Sequence, residues 1–202
     1  MSDGLLIFDC AQNTPEWHAA RRGIPTASRF SDVLAKGQGV TRKKYLYTLA
    51  GEVLTGECAE GFTNAHMERG HAMEDDARQM YAFMHDAEPV LVGFMRRGRA
   101  GASPDSLIGT DGLLEIKTKL PHLQLECLER GKLPPEHIAQ VQGQLWVSGR
   151  QFCDFVSYWP RMPLFHVRVE RDDAYIKTLA QAVDDFLGEL DAIVSKYQEI
   201  AA

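Results

Sequence analysis

The chain has 202 residues, of which 45% are hydrophobic and 25% charged, and a formal net charge of -6. This is globular composition of a length that suits a single domain spanning 1–202, and no run approaches the ~20 uncharged apolar residues of a bilayer span. Met1 to Asp9 lacks the basic start and long apolar core of a secretion signal, and the four cysteines (Cys10, Cys58, Cys127, Cys153) form no CxxC pair. A disulfide scaffold and a structural zinc site are therefore poor readings, and a cytoplasmic, reducing setting is expected.

In chain order, Thr14-Pro15 starts a helix: threonine caps it, and proline fits the first turn because its missing N–H has no helical partner there anyway. Trp17 and Arg21, four apart, share one face of it. Gly23 and Pro25 stop it, and Thr26 or Ser28 starts another that Gly37 ends. Thr41 opens a third helix, with Tyr45, Leu46, Leu49 and Val53 on one stripe before Gly56. A fourth is expected over 64–85, with Met73, Ala77, Met80, Tyr81 and Met84 inward. Between Arg21 and Lys44 there are seven basic residues and one acid, whereas 170–202 carries eight acids and three bases. An acidic whole with a basic front suits a polyanion bound locally, although a merely solvated basic face would read the same way.

The middle of the chain reads as strands over 90–95, 106–108 and 113–118, then helices over 121–130 and 135–148. Two further strands, 152–158 and 165–169, precede a long helix over 172–198 with apolar residues at three- and four-residue steps. The expected fold class is α/β, with a small central mixed sheet sandwiched by helices.

The chemistry is concentrated in Ser103-Pro104-Asp105, nine further residues, and Glu115-Ile116-Lys117. Strand side chains alternate, so Glu115 and Lys117 share a face. The intervening Thr110-Asp111-Gly112 is good turn chemistry that lets Asp105 return beside them. Two carboxylates and an ammonium on one patch suit metal-assisted phosphodiester hydrolysis, with magnesium held by a few carboxylate oxygens and a third carboxylate completing a two-metal site. A surface Glu–Lys ladder with Asp105 in a turn is the plainer alternative.

Further segments occur in one order with these. They are Glu16 to Ser28, Glu74-Asp75-Asp76-Ala77-Arg78, Ala139-Gln140-Val141-Gln142 with Trp146-Val147, Pro160-Arg161-Met162, and Glu170-Arg171-Asp172. Together they resemble the phage lambda exonuclease family, the YqaJ-type viral alkaline exonucleases of the PD-(D/E)xK nuclease superfamily, over nearly the whole chain. The resemblance implies the PD-(D/E)xK core and a double-strand DNA exonuclease that digests the 5′-ended strand in the 5′→3′ direction. It also implies 3′ tails for a strand-annealing recombinase partner in a bacterial host cell, a homotrimeric ring around duplex ends, and no membrane partner. The implied cofactor is magnesium, as two ions, with manganese as a substitute. The implied metal ligands are Asp105, Glu115, the backbone carbonyl of Ile116, and Glu74. Lys117 matches the catalytic lysine and Gln140 a glutamine that positions water or substrate. Arg21 and Ser28 match residues that hold the DNA 5′-phosphate, and Met67 matches an apolar wedge that parts the terminal base pair.

Each has a plainer role open to it. Glu74 suits an i,i+4 pair with Arg78, Gln140 a bridge, Ser28 a helix cap and Met67 a core position. The chain departs from the family pattern at Ser106 and at Thr118-Lys119, where Lys119 would add a second positive charge on the strand face. The alternatives are a structure-specific or restriction-type endonuclease on the same core, and a catalytically inactive DNA-binding module.

Overall fold

The computed structural model describes residues 4–35, 40–59 and 65–201; for 65–72 and 201 it describes the backbone alone. Strand β1 (Leu5–Phe8) is followed by α1 (Pro15–Arg21), a 3-10 turn (Ala27–Arg29), α2 (Phe30–Val33), α3 (Val40–Thr55) and α4 (Ala65–His85). Then come β2 (Pro89–Val90), β3 (Phe94–Arg97), β4 (Ala100–Ala102), β5 (Ser106–Ile108) and β6 (Gly112–Lys117). Helix α5 (Pro121–Arg130), a 3-10 turn (Pro135–His137), α6 (Ile138–Ser148), β7 (Phe152–Ser157), β8 (Phe165–Glu170) and α7 (Asp173–Ala201) complete the order.

The main sheet has the order β2-β5-β6-β7-β8, with β6 and β7 parallel and the other neighbours antiparallel. A parallel pair needs a long crossover, which α5 and α6 supply. Side chains of β6 alternate across the sheet. Leu114 and Ile116 pack with Met73, Ala77 and Tyr81 of α4, whereas Leu113 packs with Val141 and Leu145 of α6. That is the sandwich expected from the sequence.

A second, three-stranded sheet, β1-β3-β4, was not expected. Leu5–Phe8 and Ala100–Ala102 are too short to display a period of two, so no alternation marks them. The expected strand over 90–95 is divided between the sheets, β2 in one and β3 in the other. The second sheet packs with α2, α3, α6 and α7, burying Phe30, Tyr45, Met95, Phe186 and Leu190.

Helix α1 starts as expected, with the Thr14 hydroxyl accepting from Trp17 N–H at 3.4 Å. The segment after Thr26 forms a 3-10 turn before α2, and Gly37 lies outside the described residues. On α4 the inward stripe is Met73, Ala77 and Tyr81; Met80 and Met84 are 38% and 55% exposed. Val53, expected inward on α3, is 40% exposed. All four cysteines are free thiols. Among the described residues no helix is long and apolar enough to cross a membrane.

Candidate active site

The β5–β6 hairpin builds the site. The ladder pairs Ser106 with Leu114, and Asp105 N–H extends it by donating to the Leu114 carbonyl at 3.1 Å. Two residues further along β6, the Asp105 carboxylate replaces a ladder partner and accepts from the Ile116 N–H at 2.5 Å. The strand period then sets Glu115 and Lys117 on one face, where Lys117 Nζ lies 2.6 Å from Glu115 Oε1. Glu115 is 2% exposed, and Lys117 keeps part of its side chain open to solvent.

Helix α6 covers that face. Gln140 Nε2 donates to Glu115 Oε1 at 2.5 Å, and Gln144 Nε2 donates to Glu115 Oε2 at 2.6 Å. Sequence reasoning singled out Gln140 but missed Gln144. The available signal was helical spacing, because residues four apart share a face.

The segment before Asp105 is tied down by residues far away in the chain. Trp17 Nε1 donates to Ser103 Oγ at 3.0 Å, and Gln12 Nε2 donates to the Pro104 carbonyl at 3.0 Å. Gly101 N–H reaches the Pro25 carbonyl at 3.0 Å, so the amino-terminal motif and the Asp105 segment are held together.

Burial and the adjacent Glu115 carboxylate push the Asp105 carboxyl well above its usual range; Glu74 adds to this, and Lys117 and the Ile116 N–H oppose it. Burial alone would lower the Lys117 ammonium, but Glu115, Asp105 and Glu74 outweigh it and raise its pKa. Lys117 is therefore a cation at neutral pH, and the two acids crowd each other despite it. Carboxylates so placed, with backbone carbonyls nearby, are the hard oxygen donors that magnesium takes, and a cation between them would relieve the crowding. The residues fit such an ion.

Glu74 lines one cleft with Asp75, Arg78 and Asp105. Arg78 ion-pairs with Asp75 and donates from Nε to Ser106 Oγ at 3.0 Å. On α4, Arg78 thus pairs with the acid three residues before it. Among the described residues no three His, Cys, Asp or Glu side chains gather tightly enough to hold an ion as a group. Glu74 borders the site, close enough to perturb Asp105, without closing a three-carboxylate cage.

Arg21 lies over the Trp17 ring, 3.7 Å from its centroid, and lines a recess with His18, Arg22 and Thr26. Ser28 is exposed in the 3-10 turn, its hydroxyl 3.3 Å from Thr26 Oγ1, so it adjoins that recess through Thr26. Glu52, also in the recess, is committed to the backbone, accepting from Gly23 N–H at 2.8 Å and Ala59 N–H at 3.0 Å. The Met67 side chain lies outside the described residues. Lys119 is past the end of β6 and bonds Glu136 at 3.0 Å, so it is not the second cation expected on the strand face.

A mixed sheet between α4 and α6, with Asp at the entry to one strand and Glu-x-Lys on its neighbour, defines a nuclease core. Residues 16–151 match the YqaJ-like viral recombinase domain. The chain belongs to that family and is a nuclease. The crystal structure of the alkaline exonuclease LHK-Exo from Laribacter hongkongensis is 39% identical, with a TM-score of 0.85 over 93% of this chain and 98% of that one. In its complex with dAMP the TM-score is 0.87 over the same shares. A phage-related exonuclease from Haemophilus somnus 129PT shares the fold at 15% identity, with a TM-score of 0.69 over 86% of this chain and 96% of that chain. The protein ExoD of Escherichia coli (strain K12) is 30% identical over 63 residues, 30% of this chain and 72% of ExoD.

Proposed function

We propose that the chain is a magnesium-dependent double-strand DNA exonuclease. It digests the 5′-ended strand in the 5′→3′ direction and leaves 3′ tails for a strand-annealing recombinase. The convergence of Asp105, Glu115 and Lys117 on one hairpin, in a chain of this family, carries the reading.

Asp105, Glu115 and the Ile116 carbonyl would hold one magnesium ion, with Glu74 shared toward a second; manganese would serve in its place. When bound, the metal neutralises charge on the phosphoryl group and lowers the pKa of its water. The Lys117 ammonium, kept charged by its carboxylate neighbours, stabilises the extra negative charge that develops on the phosphate. Gln140 fixes the Glu115 carboxylate from the α6 side. Arg21 and Ser28 would receive the terminal 5′-phosphate, the guanidinium by charge-assisted bonds and the hydroxyl by donation. Met67, beginning α4, would part the terminal base pair.

Linear duplex labelled at one 5′ end tests the polarity. Label should appear early in small products, only with magnesium or manganese. Early release of a 3′ label, or cutting of closed circular DNA, would overturn the assignment. Arg21→Ala should slow digestion of 5′-phosphorylated ends about tenfold more than 5′-hydroxyl ends; equal slowing would place Arg21 outside the phosphate site.

A further inference from the structure

Gln144 is 1% exposed, yet it is polar, and its carbonyl oxygen Oε1 has no hydrogen-bond partner among the described residues. An ionised carboxylate accepts and never donates, so the amide must turn its NH₂ toward Glu115, which leaves Oε1 stranded on the other side. A buried polar atom without a partner is costly and rare in native structures. A glutamine serving only to fill space between α6 and β6 would carry that cost for nothing, since methionine or leucine would occupy the same volume.

What the position gains is control of Glu115. Gln140 and Lys117 both meet Oε1, and Gln144 alone among these three meets Oε2, at 2.6 Å. Donors on both oxygens set the plane of the carboxylate and leave the remaining lone pair of Oε2 aimed at a fixed point. Helix α6 holds both amides rigidly, because Gln140 and Gln144 stand one turn apart and Val141 and Leu145 anchor that helix in the core.

We infer that Gln144 is a positioning residue of the catalytic centre: it orients Glu115 as a metal ligand through the second carboxylate oxygen. The inference rests on the metal-dependent nuclease reading above. Partners that orient a ligating carboxylate contribute about 10- to 100-fold to metal affinity or activity.

Gln144→Met keeps volume and removes the donor, and Gln144→Leu is a second shape should the first fail to fold. Magnesium and manganese binding is measured by calorimetry without DNA, beside steady-state digestion of linear duplex. Cation affinity should fall about 10- to 100-fold, with a matching rise in the magnesium concentration for half-maximal rate. At saturating magnesium, KM for duplex stays within twofold of wild type, and melting temperature shifts by no more than a few degrees, because the stranded oxygen and the donor to Oε2 are lost together. Gln140→Met combined with Gln144→Met should be non-additive in cation affinity, since both act through Glu115. Unchanged cation binding and rate in a folded Gln144 variant overturns the positioning role while the nuclease reading stands. A wild-type chain that neither binds the cations nor digests DNA overturns both. Loss of melting temperature with unaltered cation affinity would mark Gln144 as a packing residue and reject the proposal.

Discussion

At the scale of single residues, the site is two crowded carboxylates balanced by the Lys117 ammonium and by amide donors from α6. Removing Lys117 or neutralising Glu115 should act on turnover rather than on the core. Lys117→Ala and Glu115→Gln should each lower the digestion rate by at least about 10²–10³-fold, with duplex binding kept. Single-turnover rates within tenfold of wild type would remove these residues from the chemistry. His137 offers a different test. Burial, with Lys119 and Lys117 nearby, lowers its pKa from 6.5 to about 4, and its ring lies 5.0 Å from that of Phe155. The unfolded imidazole takes up a proton near pH 6.5, whereas the folded one stays neutral until about 4. The unfolded state therefore binds more protons across that window. Stability is full above pH 6.5 and declines as pH falls toward 4, by about 3 kcal/mol at ~1.4 kcal/mol per pH unit. His137→Phe keeps a ring against Phe155 and should remove most of that loss. Urea unfolding at pH 7 and pH 4.5 measures it; equal losses in both proteins would assign the slope to other groups.

At the scale of elements, α6 joins the two halves of the fold. Ala139 and Val147 face the core around the second sheet, Val141 and Leu145 the core of the main sheet, and Gln140 and Gln144 the site between. Its approach to the amino-terminal motif depends on Gly143. A Cβ there would overlap the Phe30 ring, which is fully buried, and crowd Ala27. Gly143→Ala should therefore destabilise the fold by about 1–3 kcal/mol despite alanine's better helix propensity. Guanidinium unfolding should show a lower midpoint at constant slope; a gain in stability would mean that the 3-10 turn gives way easily. The same turn carries Ser28, so a displaced turn should also raise KM for phosphorylated ends. Helices α3 and α7 add a second connection, because Arg42 bonds both oxygens of Glu189, at 2.8 and 2.9 Å. Part of the basic front is thereby neutralised by the acidic last helix instead of standing apart from it.

At the scale of the whole molecule, a chain of this length has a radius of gyration of roughly 16–17 Å, too small to encircle a duplex alone. Several copies in closed cyclic symmetry can do so, and the proposed homotrimer would let duplex enter and one strand leave. Phe83, 89% exposed on α4, and Val40, 83% exposed at the start of α3, are apolar positions that contacts between copies would cover. Sedimentation at micromolar concentration should give three times the 22.6 kDa chain mass, with degradation of long stretches per binding event. A monomer that digests processively would refute the ring.

The sequence by itself determined what is local. The period of α7, the cap at Thr14 and the hairpin that carries Asp105, Glu115 and Lys117 follow from spacings of a few residues and turn chemistry at fixed offsets. The family motifs are likewise strings of neighbours. Only the tertiary structure decided which distant side chains meet: Trp17 with Ser103, 86 positions apart, Gln12 with Pro104, 92 apart, and Gln144 with Glu115, 29 apart. No periodicity relates such residues, because their separation is set by how whole elements pack. The second sheet was hidden for a related reason. Its three- and four-residue strands show no alternation of their own, and they become strands by pairing with partners that the fold brings to them.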